Sequence, residues 1–334
     1  MHVKSPVARM SAYTDQTTAE QVAEDCRAQI SNKTVLITGT TPGGLGATFG
    51  IIVAKYSPAT IILATRDVTK AQETAKEINT AGPGVRVHCV ELDLQSLSQI
   101  RKAAEKINSL GATIDVIVNN AGVMAPPFSK TADGIETQFG VNHVGHFLLT
   151  NLLLPKMLAR NVPVRVVNVT SNGYRFHHVR LEDWNFEDGK QYNRWLGYGQ
   201  SKSANMLFSV ALAQKLGKRK LVSVSLHPGV IASTNLARSV VWDDFQENGV
   251  IDRALGLKRY WDQPFAFKTP SQGVATHVFA AFHPSLDAPD ANGSYLMDSH
   301  IVEPQTVQCW GRDPIDAESL WKLSEELVGQ KFEF

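Results

Sequence analysis

TVLITGTTPGGLG, residues 34 to 46, joins an unbroken apolar run to a glycine-rich turn and then to residues of helical period. A five-residue run, Val-Leu-Ile between two threonines and bounded by turn signals, reads as a buried strand. A glycine turn opening a helix directly after such a strand leaves free backbone amides that could hold a pyrophosphate. Glycine clusters are often only tight turns, so the setting decides. Working outward, apolar runs recur at 60–65, 85–92, 114–120, 164–171 and 221–228, and stretches of helical period lie between them at 68–79, 96–109 and 134–159. Strand and helix alternating in this way predict an α/β fold, a doubly wound parallel sheet covered on both faces. The reading continues with a helix near 270–282, a strand at 293–299 and a C-terminal helix near 314–328. No linker or repeat divides the chain, so residues 33–334 read as one domain. Residues 1–32 read as an extension whose short amphipathic helix, 17–30, capped by Thr17 or Thr18, stands ahead of the main fold as an appendage.

The chain has 334 residues, 43% hydrophobic, with 33 basic against 32 acidic side chains. That balance gives no field favouring nucleic acid or an anionic membrane, and neither is an expected partner. Cys26, Cys89 and Cys309 are scattered and odd in number, which suits a reducing interior. With no secretory apolar run and no span of about 18 apolar residues, the expectation is a soluble, cytoplasmic protein.

Ligands of such sheets bind beyond the carboxyl ends of the strands. The second run ends Thr65-Arg66-Asp67. A carboxylate at that tip would bind the ribose hydroxyls of NAD, whereas an arginine accommodates a 2′-phosphate. With Arg66 there and Lys70 one turn on, NADP(H) is favoured over NAD(H), although Arg66 could instead pair with Asp67. Asp93 could accept from an adenine amino group or cap the helix beginning near Ser96. In Asn119-Asn120-Ala121-Gly122, small residues permit close approach to a ligand and the amides can tie neighbouring strands. Asn142, in an apolar helix, is either a core hydrogen-bonder or part of a polar relay. His143 and His146 lack the accompanying ligands of a zinc site. Ser171 could donate to a substrate oxygen or cap a turn. Tyr198 and Lys202 share one helical face, and the ammonium would favour the phenolate, so the pair could exchange a proton with a carbonyl or alcohol. Pro228-Gly229 breaks the chain where a nicotinamide could pass.

Thr38-Gly39 with its glycine turn, Asn119-Asn120-Ala121-Gly122, Asn142, Ser171, Tyr198 with Lys202 and Pro228-Gly229, in that order, resemble the short-chain dehydrogenase/reductase family. The resemblance spans residues 34–300. It implies a Rossmann fold, a nicotinamide cofactor and an Asn-Ser-Tyr-Lys tetrad on Asn142, Ser171, Tyr198 and Lys202. In the roles it implies, Tyr198 exchanges the proton, Ser171 holds the substrate oxygen, Lys202 binds the nicotinamide ribose and lowers the Tyr198 pKa, and Asn142 positions a water. Implied dinucleotide contacts are Gly39, Thr41, Gly43, Gly44, Leu45 and Gly46 in the turn, and Arg66, Lys70, Asp93 and Leu94 after the next two strands. Further along they are Asn120, Ala121, Gly122, Tyr198, Lys202, Pro228, Gly229, Val230 and Thr234. The interval between Ser171 and Tyr198, with LEDWNFED and YGQSKSANMLFSVALAQKL, resembles the retinol-dehydrogenase-like branch. The leading extension resembles fungal members that act as reductases in secondary metabolism. One departure stands out: four residues separate Gly39 from Gly44 where the family has three, and Pro42 and Gly43 are expected to absorb the extra one. Family members often dimerise through the helices bearing Asn142 and Tyr198, so a homodimer is a possible assembly.

Two stretches have no regular pattern. Residues 172–197 carry Tyr174, Phe176, Trp184, Phe186, Tyr192 and Trp195, and residues 230–268 carry Trp242, Phe245, Tyr260, Trp261, Phe265 and Phe267. They suggest a roomy apolar pocket under a lid, for a bulky hydrophobic ketone, aldehyde or alcohol.

Overall fold

The structure, a computed structural model, describes residues 13–237, 240–260 and 266–334. The apolar runs become strands β1 (Thr34–Thr38), β2 (Thr60–Thr65), β3 (Arg86–Glu91), β4 (Val116–Asn119), β5 (Val164–Val169), β6 (Leu221–His227) and β7 (Tyr295–Met297), followed by a short β8 (His300–Ile301). They form one sheet in the order β3-β2-β1-β4-β5-β6-β7-β8, parallel except for β8. The order reverses between β1 and β4, which places a crevice at their carboxyl ends. Every residue of β1 is buried, and successive side chains serve opposite layers: Leu36 enters the core on one face, Val35 and Ile37 the core on the other. Each such aliphatic side chain contributes about 1.5–3 kcal/mol on burial.

One face is covered by α1 (Ala19–Asp25), α2 (Leu45–Ala54), α3 (Val68–Ala81) and a later helix, Pro270–Phe282. The other is covered by α4 (Leu97–Ser109), α5 (Gly145–Leu158), α6 (Arg194–Leu216) and Pro314–Val328. Three later helices, in chain order, are α7 (Gln246–Ala254), α8 (Pro270–Phe282) and α9 (Pro314–Val328). A turn of i→i+5 bonding, Gly140–Val144, leads into α5 and contains Asn142.

Two expectations need correction. The N-terminal helix is no appendage: Thr18 caps α1 in a reciprocal box with Gln21, and Ala19, Val22, Ala23 and Cys26 are fully buried against α2 and α8. Residues 230–268 are not without pattern, because they contain α7. The C-terminal helix α9 covers the outer face of α5 and α6. Trp321 of α9 lies on Phe147 and Phe208, with centroids 5.0 and 6.2 Å away, and Ser324 bonds His143 at 2.8 Å.

Candidate active site

The lengthened glycine turn leads directly into α2. Gly39 and Gly43 take positive φ, +72° and +75°, and a Cβ on Gly43 would meet nothing, so the extra residue loops into open space. The Gly44 amide closes the turn on Thr41 O at 2.9 Å, and Leu45 begins α2 with its first amides unpaired by any side-chain cap. Gly46 still rests against Gly39 O and the Asn120 amide. Asn120 donates to Thr38 O and Gly39 O at 2.9 and 3.1 Å, and Asn119 donates to Asn168 at 2.8 Å. These amides tie strands together, as their sequence setting suggested. The turn, the N-terminus of a ten-residue helix and the close backbone approach fit a dinucleotide pyrophosphate.

At the tip of β2, Arg66 is exposed and Asp67 caps α3 by accepting from Lys70 N at 3.2 Å. Lys70 Nζ lies 3.9 Å from the same carboxylate, so Asp67 pairs with Lys70 rather than with Arg66. Ser96, not Asp93, caps α4; Asp93 accepts from Gln95 N at 3.0 Å. Leu94 is buried against Gly145 at the start of α5. Gly229 (φ +90°) follows β6, Val230 accepts from Lys268 N at 2.8 Å, and the Thr234 hydroxyl turns back to Ile231 O at 3.4 Å.

The four tetrad positions come together at this edge. Ser171 follows β5, and its Oγ accepts from Gly173 N at 3.1 Å, the turn-capping role; Ser171 Oγ and the Tyr198 ring both border Gly173. Lys202 Nζ donates to Val169 O at 3.2 Å and stands 5.6 Å from the Tyr198 ring centroid. Gly122 borders both the Asn142 amide and Lys202 Nζ, 3.2 and 3.5 Å from where its Cβ would be. Asn142 accepts from Val123 N at 2.8 Å and donates to Val123 O and Ser201 Oγ at 3.0 and 2.9 Å. The two histidines part company: His143 turns to α9, and His146 to Thr38 at 2.9 Å.

The electrostatics differ from expectation. Burial pushes the Tyr198 phenol up to about 12, against the lowering effect of the Ser171 side chain, and brings Lys202 down to about 8. Lys202 does not tip Tyr198 towards the phenolate here, because Tyr198 sits among Ala125, Phe176 and Trp195, where desolvation disfavours its charged form.

Those three residues form an apolar cluster with Tyr198, joined by Met124, Val240, Phe245 and Ile251. Others of the aromatic set serve packing: Phe186 and Tyr174 are buried elsewhere, and Tyr192 donates to Pro126 O at 2.9 Å. Trp261, Phe265 and the side chain of Trp242 lie outside the described residues. The segment over the site is tied down by a contact that sequence did not reveal. Arg175, just past Ser171, holds Asp252 of α7 bidentately at 2.7 and 2.9 Å, with the rings of Phe176 and Tyr260 against its guanidinium. The partners are 77 positions apart, so no local spacing signals them. A separate cleft of about 980 Å³ beside the second half of α6 contains none of the tetrad in its walls.

Residues 33–181 match the family model described as short chain dehydrogenase. The chain is 34% identical to a protein of Brassica napus named short-chain dehydrogenase TIC 32 A, chloroplastic, over 95% of each. It is 36% identical to human retinol dehydrogenase 11, over 90% of this chain and 87% of that one. Among solved structures, an uncharacterized protein from Mycobacterium paratuberculosis superposes with a TM-score of 0.68 at 32% identity, over 92% and 97% of the two chains. Sequence, fold and site agree, and the chain belongs to the short-chain dehydrogenase/reductase family, in its retinol-dehydrogenase-like branch.

Proposed function

We propose that this nicotinamide-dependent oxidoreductase uses NADP(H) to reduce the carbonyl of a bulky hydrophobic substrate. The observation that carries the reading is the gathering of Ser171, Tyr198 and Lys202 beside an apolar cluster, at a sheet edge where Arg66 at the β2 tip is exposed and the neighbouring Asp67 carboxylate is engaged in capping α3. The bound dinucleotide supplies the hydride. Arg66 and Lys70 would hold a 2′-phosphate, Lys202 a ribose, and the amides of the glycine turn the pyrophosphate. Ser171 holds the substrate oxygen and Tyr198 gives it a proton. As a protonated phenol Tyr198 is the acid for reduction, and as a phenolate it is the base for the reverse oxidation. Several relatives are named retinol dehydrogenases, and a long apolar alcohol or its aldehyde suits the cluster of Phe176, Trp195, Val240 and Phe245.

Titration with NADPH and NADH, with and without Arg66→Ala, tests the cofactor. NADPH is expected to bind at least about tenfold tighter, a margin of about 1.4 kcal/mol that the variant loses. Equal affinities would turn the reading towards NAD and alcohol oxidation. Reduction of small polar carbonyls in preference to retinal would count against the apolar substrate.

A further inference from the structure

Between Gly140 and Val144 the helix widens, with the Gly145 amide reaching back to Gly140 O. Such a bulge disturbs the usual i→i+4 bonding of the carbonyls inside it. The carbonyl of Asn142 lies in this turn, and His146 Nδ1 is 3.0 Å from its oxygen. The other ring nitrogen, Nε2, is 2.9 Å from Thr38 Oγ1. Thr38 Oγ1 already accepts from the amides of Asn120 and Ala121, at 2.9 and 3.0 Å, which leaves its own proton for Nε2. Nε2 therefore accepts, and the ring proton sits on Nδ1 and is donated to Asn142 O. Burial brings the His146 pKa down to about 4, so the ring is neutral at working pH.

We infer that His146 is a positioning residue, a neutral imidazole that fixes the Asn142 carbonyl of the bulge against the end of β1. The residue thereby sets the Asn142 side of the site relative to Lys202 and the glycine turn. Both ends of the Asn142 side chain are engaged by Val123 and Ser201, so the backbone carbonyl is the group whose direction His146 controls. The inference rests on the reading that Asn142, Ser171, Tyr198 and Lys202 act on the substrate.

The first test needs no turnover. The ¹⁵N resonances of His146 at pH 7 are expected to report a neutral ring protonated at Nδ1; a ring protonated at Nε2, or charged, overturns the inference. The second uses NADPH and retinal with His146→Leu and His146→Gln, the glutamine amide being able to accept from Thr38 and donate to Asn142. His146→Leu is expected to lower kcat about 10²-fold, the usual cost of a misplaced group, with NADPH Kd and retinal KM within about threefold. His146→Gln is expected to recover most of the loss. A leucine variant with parental kcat overturns the inference, as does a joint loss of kcat and NADPH affinity that glutamine fails to restore. Tyr198→Phe separates the two levels. If it abolishes turnover while His146→Leu does not, the inference fails and the tetrad reading stands. If the parent protein is inert towards retinal, or Tyr198→Phe turns over like the parent, both fall together.

Discussion

At Gly173 an added Cβ would sit 2.7 Å from the Tyr198 ring, and the ring is enclosed by Phe176 and Trp195 with nowhere to retreat. Gly173→Ala is therefore expected to fold, since the position needs no positive φ, yet to lose about 10²-fold in kcat through displacement of the phenol. Steady-state kinetics beside circular dichroism checks this, and parental kcat would show that the ring moves freely. Lys202, lowered to about 8 by burial, gives a second expectation. Reductive kcat/KM should hold below about pH 8 and decline above it as the ammonium loses its proton, and a profile flat to pH 10 would show that its charge is not needed. Which residues gather at the site was readable in advance where short spacing carries the chemistry, as in Gly39 to Gly46 or Tyr198 with Lys202. The phenol's pKa was not, because it depends on Trp195 and Phe176 closing around it, and burial is a property of the assembled fold.

The helix α9 makes the clearest case at the level of elements. Trp321 is 3% exposed and touches Phe147 of α5 and Phe208 of α6. Trp321→Ala should cost about 3–5 kcal/mol, read from urea unfolding, as for other large aromatic truncations. A loss under 1 kcal/mol, well below that range, would mean that α9 covers the helices without stabilising them. Strands and long helices were legible because apolar runs of five or six and a sustained 3.6 period survive in any context, and α8 and α9 fall where the pattern placed them. The role of α1 was not legible. Its amphipathic stripe shows that something covers it, but Ser271 and Phe279 of α8, which lie beside it, come some 250 positions later, as the 252-residue span of the Ala19–Ser271 bond shows. Likewise α7 is short and polar, and Asp252 makes sense there only once Arg175 is beside it.

For the whole molecule, pH is the sharpest probe. Among the described residues His143, His146, His227 and His277 are buried, and burial lowers their pKa to about 3, 4, 3 and 4. From about pH 6.5 down to those values the unfolded chain binds protons that the folded chain refuses, so stability falls with pH, by about 1.4 kcal/mol per unit for each ring. Glu136 runs the other way. Burial raises it to about 7, so the folded carboxyl keeps a proton that the unfolded one releases. Glu136 opposes the four rings, while His177 and His283, also lowered by burial, act with them, and Tm is expected to drop steadily below pH 6; a Tm unchanged down to pH 4.5 would show that the rings are not held neutral. The cover of α9 over α5 and α6 also has a consequence during synthesis. The ribosome makes α9 roughly a hundred residues after α6, an interval of about 5–20 s at ordinary elongation rates. Through that interval Phe147 and Phe208 lack the Trp321 ring that covers them in the finished protein, so the nascent chain exposes an aromatic face that only the last helix buries.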